Sequence, residues 1–302
     1  PIEFYSTQSL DNDDKAIVLE VLNSDYLTVG PKIEEFENLI GEFCNNSFAL
    51  AVNSGTSALT LAYEVCNVGP GSLVWTTPLT FVATAACAVR LGASIDFVDI
   101  DSDTLNLCPF LLEKKLKIAE KSSQIPDVVT VVHFAGNPID MEKISILAKK
   151  YKFKVIEDAS HALGSIFKDQ VIGQNRFSDV TVFSFHPVKI ITTGEGGAVL
   201  LSEKKDYLTA RSLRSHGISR EKLDLSNKIP NWFYEQKMLG YNFRMSELSA
   251  GLGISQIKKV DTYVMKRNIL ADKYKIMFEE MPLKFQKILP DCRSSYHLFT
   301  IE

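Results

Sequence analysis

The sequence predicts an α/β protein with a mostly parallel central sheet and helices on both faces. Two observations support this. Apolar residues recur at helical spacing in separate stretches, and short apolar runs lie between those stretches. Strands and helices alternating at this pitch are typical of βαβ units, and runs that are apolar throughout are buried on both faces. The predicted helices are 13–22, 32–44, 56–66, 80–91, 109–119 and 141–151. The predicted strands are 48–52, 73–76, 95–99, 128–133, 154–157, 180–185 and 197–201.

Composition limits the classes of partner. The chain has 302 residues with 33 Lys+Arg and 37 Asp+Glu, a formal net charge of −4. This mild acidity gives no electrostatic reason to expect nucleic acid or an anionic membrane as a partner. Five scattered cysteines contain no CxxC pair and no accompanying histidine set, so neither a disulfide framework nor a metal site is predicted. The opening Pro1–Phe4 lacks a signal-peptide pattern, and the apolar stretch 81–89 is too short to span a bilayer. We therefore expect a cytoplasmic protein.

The pattern of the chain changes near Met245. A long helical stretch follows from Ser246 to about Phe278, and then Pro-punctuated sequence leads to a last strand-like run at 296–301. We therefore predict a large domain at 1–245 and a smaller α+β C-terminal domain at 246–302.

Ligand sites of open parallel sheets lie beyond the carboxyl ends of the strands, so the loops that follow the predicted strands are informative. After strand 48–52, the small polar turn 53–57 enters a helix, and Thr56 and Ser57 provide two hydroxyls there. Free N–H groups and the positive end of a helix dipole suit a phosphate. A plain N-cap at Ser54 or Thr56 is the alternative. The absence of GxxxxGK[ST] excludes the nucleoside-triphosphatase loop.

Two further loops carry ionisable side chains. Asp158 follows the apolar strand 154–157, although a lone acid at this place is often only a turn cap. Lys189 follows strand 180–185, is flanked by Val188 and Ile190, and precedes a glycine-rich turn. A lysine among apolar residues is a candidate for a desolvated amine with a lowered pKa, whereas most lysines are solvated surface groups.

One chemistry needs these three features together. A pyridoxal phosphate enzyme uses a lysine for the Schiff base, a carboxylate at the ring nitrogen and a helix-terminal nest for the phosphate. Over most of its length the sequence also resembles the DegT/StrS family of sugar aminotransferases, which are fold-type I pyridoxal phosphate enzymes. The stretches that carry this resemblance are 26–31, 157–164, 183–189, 192–197, 213–218, 239–245 and 294–299.

The resemblance implies a role for several positions in binding pyridoxal 5'-phosphate. Lys189 matches the lysine that forms the Schiff base, and Asp158 matches the partner of the pyridine nitrogen. Phe81 matches an aromatic residue that stacks on the cofactor ring, and His161 falls where relatives carry Gln or His beside the cofactor oxygens. The positions that match phosphate-binding residues are Thr56, Ser57 and Ser184.

The resemblance also implies a homodimer with shared active sites. Asn242 matches a residue that reaches the phosphate of the neighbouring subunit. Members of the family usually continue beyond the segment that corresponds to 296–301, so the small domain is expected to be truncated at Glu302.

The implied reaction is transamination of a nucleotide-linked 4-keto-6-deoxy sugar, of the UDP-4-keto-6-deoxy-N-acetyl-L-altrosamine type, with glutamate as amino donor, in pseudaminic acid or related surface-sugar biosynthesis. Arg214, His216 and Arg244 are possible partners of the diphosphate. The dehydratase branch of the family carries a histidine in place of the lysine, so Lys189 favours transamination. A different ketosugar, a dehydratase and a non-transaminating regulator stay open as alternatives. A Rossmann oxidoreductase is disfavoured because no GxGxxG follows the first strand.

Overall fold

A seven-stranded sheet forms the centre of the fold in the computed structural model, which describes residues 6–219 and 232–302. Pro1–Phe4, and with them the prediction on a signal peptide, lie outside the described residues. The spatial order of the strands is β1-β7-β6-β5-β4-β2-β3, and only β7 runs antiparallel to its neighbours. The mostly parallel sheet is therefore confirmed. The strands are β1 (Ala49–Val52), β2 (Leu73–Thr76), β3 (Ser94–Phe97), β4 (Val128–Val132), β5 (Lys154–Asp158), β6 (Val180–Ser184) and β7 (Gly197–Leu201).

Helices cover both faces of this sheet, as predicted. The described α-helices are α1 (Asn12–Leu22), α2 (Pro31–Cys44), α3 (Gly55–Val65), α4 (Ala83–Arg90), α5 (Pro109–Ser122), α6 (Met141–Tyr151), α7 (Lys204–Arg214), α8 (Glu247–Ile257) and α9 (Val260–Met277). A 3-10 turn covers Phe134–Gly136, and two small sheets contain the short strands Ile166–Phe167, Gln170–Val171, Cys292–Arg293, Ile218–Ser219 and Glu235–Gln236. Within residues 6–219 and 232–302, no helix is long and apolar enough to cross a membrane.

Two apolar cores lie on opposite faces of the sheet because strand side chains alternate between faces. In β4, Val129 and Val131 pack in the core that includes α2, α5, α6 and α8, whereas Val128 packs in the core of α3, α4 and α7. In β5, Val155 and Ile156 divide between the two cores in the same way. Strands β1, β4 and β7 are buried along their whole length, so their sequences are largely apolar rather than alternating, whereas the edge strand β3 is mostly exposed.

The structure corrects three predicted elements and adds one helix that was not predicted. The helix predicted at 80–91 begins only at Ala83, so Phe81 lies in the preceding loop. The single helix predicted from 246 to 278 is two helices separated at Lys258 and Lys259. The predicted strand at 296–301 is wrong, since this segment pairs only through the isolated bridge between Phe285 and Ile301. Helix α7 was not predicted, because its largely polar sequence has few apolar residues at helical spacing.

Helix α8 is buried against α1 and α2. Its glycines allow this close approach, since a Cβ on Gly253 would lie 2.6 Å from the Phe36 ring. The carboxylate of Glu247, which is 1% exposed, accepts hydrogen bonds from the backbone N–H groups of Gly30, Lys32 and Ile33 at 2.9–3.2 Å. Glu247 therefore caps the N-terminus of α2 from another helix. The domain boundary at 245/246 stays a prediction, with α8 in the same core as α2.

Replacing Glu247 with Ala should lower the free energy of unfolding by about 2–4 kcal/mol, because one buried and two partly buried backbone donors lose their acceptor. Chemical denaturation measures the change. Glu35→Ala is the control, since Glu35 is an exposed residue of α2 that pairs only with Lys32, and its loss should cost less than about 0.5 kcal/mol. Equal losses in the two variants would show that the Glu247 cap does not hold α2.

Candidate active site

A cavity of about 710 Å³ opens at the carboxyl edge of the sheet, where the ends of β1, β4, β5 and β6 meet. Loops that are distant in sequence converge there, as the topology of a parallel sheet requires. The lining residues include most of the predicted site. They are Ser54, Gly55, Thr56, Leu59, Thr80, Phe81, Ala83, Val132, Phe134, Asp158, Ser160, His161, Ser184, His186, Val188, Lys189, Glu195, His297 and Leu298.

The carboxylate of Asp158 lies at the floor of the cavity. Asp158 is the last residue of β5 and is only 5% exposed. Its Oδ2 accepts a hydrogen bond from Thr84 Oγ1 of α4 at 2.7 Å, and its Oδ1 accepts from Ser160 Oγ at 2.6 Å and from the Ser160 N–H at 3.2 Å. These donors stabilise and orient a buried anion.

Lys189 reaches the same cavity from the loop after β6. Its backbone N–H donates to the carbonyl of His186 at 2.8 Å, which forms a tight turn. Burial lowers the pKa of the Lys189 amine, and the negative charge of Asp158 opposes that shift. The structure therefore brings together the predicted lysine and carboxylate, 31 positions apart in the sequence.

The predicted phosphate nest lies at the N-terminus of α3. Ser54 is the N-cap and its hydroxyl accepts from the Ser57 N–H at 3.0 Å, while the amides of Gly55 and Thr56 have no intrahelical partner. A Cβ on Gly55 would lie 2.9 Å from the Cβ of Ser184, so only glycine lets the loop approach β6 this closely. The alternative prediction for this turn, a plain N-cap at Ser54, is also present.

Ser57 lies below this loop rather than in the cavity lining. It is 6% exposed, and its hydroxyl donates to Asn53 Oδ1 at 2.6 Å. Its assignment as a phosphate ligand stays a prediction. The described structure gives it a role in shaping the turn.

His161 is held in the cavity wall as an uncharged ring. Its Nδ1 accepts a hydrogen bond from the Ala135 N–H at 3.3 Å. Burial and the charge of Lys189 lower the pKa of His161 to about 4, against a smaller opposing effect of Asp158. Phe81 lines the mouth of the cavity with 69% of its surface exposed, so an aromatic face is available there.

Asn242 does not line the cavity of its own chain. It is exposed, and its backbone carbonyl accepts from Asn53 Nδ2 at 3.3 Å, beside the α3 loop. Arg214 and Arg244 line a different cavity of about 670 Å³, next to the edge strand β1. There Arg214 pairs with Glu37 and donates to the Ala51 carbonyl at 2.8 Å, so its guanidinium is already engaged.

Sequence reasoning assigned no role to several residues that shape the site. Thr84 lies in an apolar helix and carries no motif that indicates its contact with Asp158. His297 enters the cavity from the C-terminal segment, where its ring centroid is 4.2 Å from that of His161. The other members of this set are Phe134, Ser160 and Glu195.

The residues present fit pyridoxal phosphate. The α3 loop offers amides and hydroxyls to a phosphate, and the close contact of Gly55 with Ser184 forms a cradle that a side chain at position 55 would fill. Asp158 supplies a buried carboxylate that suits a protonated ring nitrogen, and Lys189 supplies an amine in the same cavity. These features define a pyridoxal phosphate enzyme.

Comparisons with known proteins agree with this geometry. The model of the DegT/DnrJ/EryC1/StrS aminotransferase family matches residues 8–302. A Campylobacter jejuni protein named UDP-4-amino-4,6-dideoxy-N-acetyl-beta-L-altrosamine transaminase is 41% identical over 298 residues, which cover 98% of this chain and 75% of that protein.

Solved structures show the same relationship. Helicobacter pylori PseC, an aminotransferase of pseudaminic acid biosynthesis, superposes with a TM-score of 0.88 at 35% identity and covers 99% of this chain and 76% of its own. The PLP-form of the sugar aminotransferase Spr1654 from Streptococcus pneumoniae gives 0.87 at 28% identity, with 99% and 77% covered.

Fold and site thus define an aminotransferase that depends on pyridoxal phosphate. The chain belongs to the DegT/DnrJ/EryC1/StrS aminotransferase family.

Replacing Thr84 with Val should weaken binding of pyridoxal phosphate about five- to tenfold, because the Asp158 carboxylate loses one of its hydroxyl donors at a cost of about 1–1.5 kcal/mol. Equilibrium titration followed by absorbance measures the affinity. Thr209→Val is the matched control, since Thr209 is in α7 and its hydroxyl donates only to the backbone of Lys205. Unchanged affinity in Thr84→Val would show that the contact with Asp158 is dispensable for the cofactor.

Proposed function

We propose that this aminotransferase converts the C4 ketone of a UDP-linked 4-keto-6-deoxy-N-acetylhexosamine into an amine, with glutamate as the amino donor. The observation that carries the proposal is the 41% identity over 98% of the chain to a transaminase whose name specifies a UDP-linked 4,6-dideoxy sugar with an amine at C4. The lysine in the cavity supports transamination rather than the dehydratase chemistry. A nucleotide-sugar substrate also fits a cytoplasmic location.

Lys189 is the residue that transfers the proton between carbon atoms during transamination. Burial lowers the pKa of its amine, so a larger fraction is uncharged near neutral pH than for a solvated lysine. An uncharged Nζ can take a proton from the carbon on one side of the transferred nitrogen. It can then return the proton to the carbon on the other side of that nitrogen, within the same cavity. The loop from His186 to Lys189 fixes the position from which the amine acts.

Asp158 supplies the electrostatic stabilisation that the reaction needs. Its buried carboxylate, oriented by Thr84 and Ser160, holds a proton on the ring nitrogen of the cofactor. When bound, pyridoxal phosphate supplies the electron sink that stabilises negative charge on the deprotonated carbon. The amides of Gly55 and Thr56 and the hydroxyl of Ser184 would hold its phosphate.

A substrate panel tests the proposal. The purified protein, loaded with pyridoxal phosphate and glutamate, receives UDP- and dTDP-linked 4-keto-6-deoxy sugars, and mass spectrometry detects the amino sugar. We expect amination of the UDP-linked N-acetylated ketosugar with a kcat/KM at least about tenfold above that of the dTDP-linked sugars, a difference of about 1.4 kcal/mol. Failure to aminate any 4-ketosugar, with cofactor bound, would overturn the proposal.

Lys189→Ala should abolish both amination and the visible absorption of covalently held cofactor, because no other amine lines the cavity among the described residues. Lys168→Ala is the matched control, since this lysine is half exposed and pairs with Glu142 at 2.6 Å outside the cavity. A Lys189→Ala protein that transaminates at the parental rate would contradict the role of the amine.

We also propose a homodimer in which Asn242 completes the phosphate site of the neighbouring subunit. The side chain of Asn242 is exposed and does not line its own cavity, so it is free to reach another chain. Large apolar side chains are exposed in the nearby sequence and at the mouth of the cavity, including Leu239 at 86% and Phe81 at 69%. Such residues suit a protein interface.

Cofactor binding should then be linked to dimerisation. Adding pyridoxal phosphate to dilute protein should raise the dimer fraction in sedimentation velocity, because a ligand that binds the dimer better shifts the equilibrium toward it. Asn242→Ala should reduce this effect, whereas Asn23→Ala, at an exposed residue at the C-terminal end of α1, should not. A monomer saturated with cofactor would show that Asn242 does not act in the neighbouring site.

A further inference from the structure

The C-terminal segment 294–298 is bound to the wall of the cavity by a set of backbone contacts. The Ser295 hydroxyl donates to the carbonyl of His161 at 2.8 Å, and the Ser295 N–H lies 3.2 Å from the Gly136 carbonyl. The Leu298 N–H donates to the Ala135 carbonyl at 3.3 Å. These contacts join three parts of the chain at one point: the 3-10 turn after β4, the loop after β5 and the C-terminal segment.

The approach of these segments is close enough to constrain the backbone. A Cβ on Gly136 would lie 2.4 Å from Ser295 Oγ, so position 136 requires glycine. Ala135 and Tyr296 both adopt positive φ, at 60° and 45°, which is uncommon for residues other than glycine. Such conformations persist where the surrounding structure holds them, and they occur often at functional sites.

The same segment places a second imidazole against His161. The His161 ring lies between Phe134, at a centroid distance of 6.1 Å, and His297, at 4.2 Å. His297 is 6% exposed, and its Nδ1 is buried without a hydrogen-bond partner among the described residues. Its side chain therefore acts on His161 through ring packing and exclusion of water, not through a hydrogen bond.

The hydrogen bond to His161 defines where its proton lies. Nδ1 accepts from the Ala135 N–H, so the proton of the uncharged ring must be on Nε2. Nε2 has no protein partner in the described chain, and His161 lines the cavity. An Nε2–H group is thus presented to whatever acceptor occupies the cavity.

We propose that segment 294–298 is a clamp that fixes His161 as an uncharged Nε2–H donor toward the oxygens of the bound cofactor, with His297 as the positioning residue. The proposal deepens the proposed function, because it rests on the cofactor occupying this cavity. It makes the C-terminal segment part of the active-site wall, although none of its residues was assigned a role from the sequence.

The charges around the two rings agree with this arrangement. His161 faces Lys189 from the loop after β6 and Asp158 from the end of β5. His297 faces His161, Lys189 and Arg267 of α9, whose guanidinium donates to the carbonyls of Tyr296 and His297. Burial is the largest cause of the low pKa of both rings, about 4 for His161 and about 2 for His297. Both imidazoles are therefore uncharged at neutral pH.

Nitrogen NMR of the histidine-labelled protein without added cofactor tests the clamp. The chain has five histidines, and loss of one signal set in His161→Gln assigns that residue. We expect the Nε2–H tautomer for His161 and no protonation above about pH 5. His297→Ala should admit water, raise the pKa of His161 by at least one unit toward its ordinary value of about 6.5, and mix the two tautomers.

His297→Phe is the conservative variant. It keeps an aromatic ring against His161 and removes both ring nitrogens of His297, of which Nδ1 has no partner among the described residues, so the tautomer and pKa of His161 should stay as in the parent. Phe285→Ala is the control for general loss of C-terminal packing, since Phe285 packs on Phe299 and should leave His161 unchanged. With cofactor added, His297→Ala should bind it about tenfold more weakly than His297→Phe.

Three results would overturn the proposal: an Nδ1–H tautomer in the parent, a parental His161 that titrates near pH 6.5, or a folded His297→Ala protein with unchanged His161 signals. If His297→Ala does not fold, Ser295→Ala replaces it, and unchanged His161 signals there would equally contradict the clamp. Because these signals are read without cofactor or substrate, they separate failure of the clamp from failure of the proposed transamination.

Discussion

The active site depends on a buried negative charge at the end of the central strand β5. A carboxylate is costly to bury, and Asp158 is tolerated at 5% exposure because Thr84 and Ser160 donate to both of its oxygens. These donors come from α4 and from the loop after β5, so the ion also fixes two neighbouring segments. Lys189, the only amine that lines the cavity among the described residues, stays close to this charge.

A parallel sheet makes such a site possible because its loops converge at one edge. The α3 loop approaches β6 so closely that Gly55 cannot carry a side chain beside Ser184. The same close packing recurs on the other side of the cavity, where Gly136 meets Ser295. Both contacts depend on the absence of one Cβ atom.

The site holds a carboxylate and an imidazole, a few residues apart in sequence, in different ways. Hydroxyl donors replace water around the Asp158 carboxylate, whereas His161 is uncharged because its neighbours exclude water and Lys189 disfavours a second positive charge. Hydrogen bonds therefore compensate for burial at Asp158, whereas at His161 burial itself, together with the charge of Lys189, keeps the ring uncharged. The C-terminal segment contributes to this difference by covering His161 with the ring of His297.

By itself, the sequence determined the α/β class, most strand positions and the groups that define the chemistry. Nearly continuous apolar runs such as 128–132 identify strands buried on both faces, and Asp158 and Lys189 stand beside such runs in distinct motifs. Thr84 and His297 could not be recognised in this way. Their roles depend on contacts across 74 and 136 positions of sequence, with Asp158 and His161, and neither lies in a local pattern typical of such a role. The tertiary structure alone decided these contacts, because strand order and helix packing set which distant segments meet.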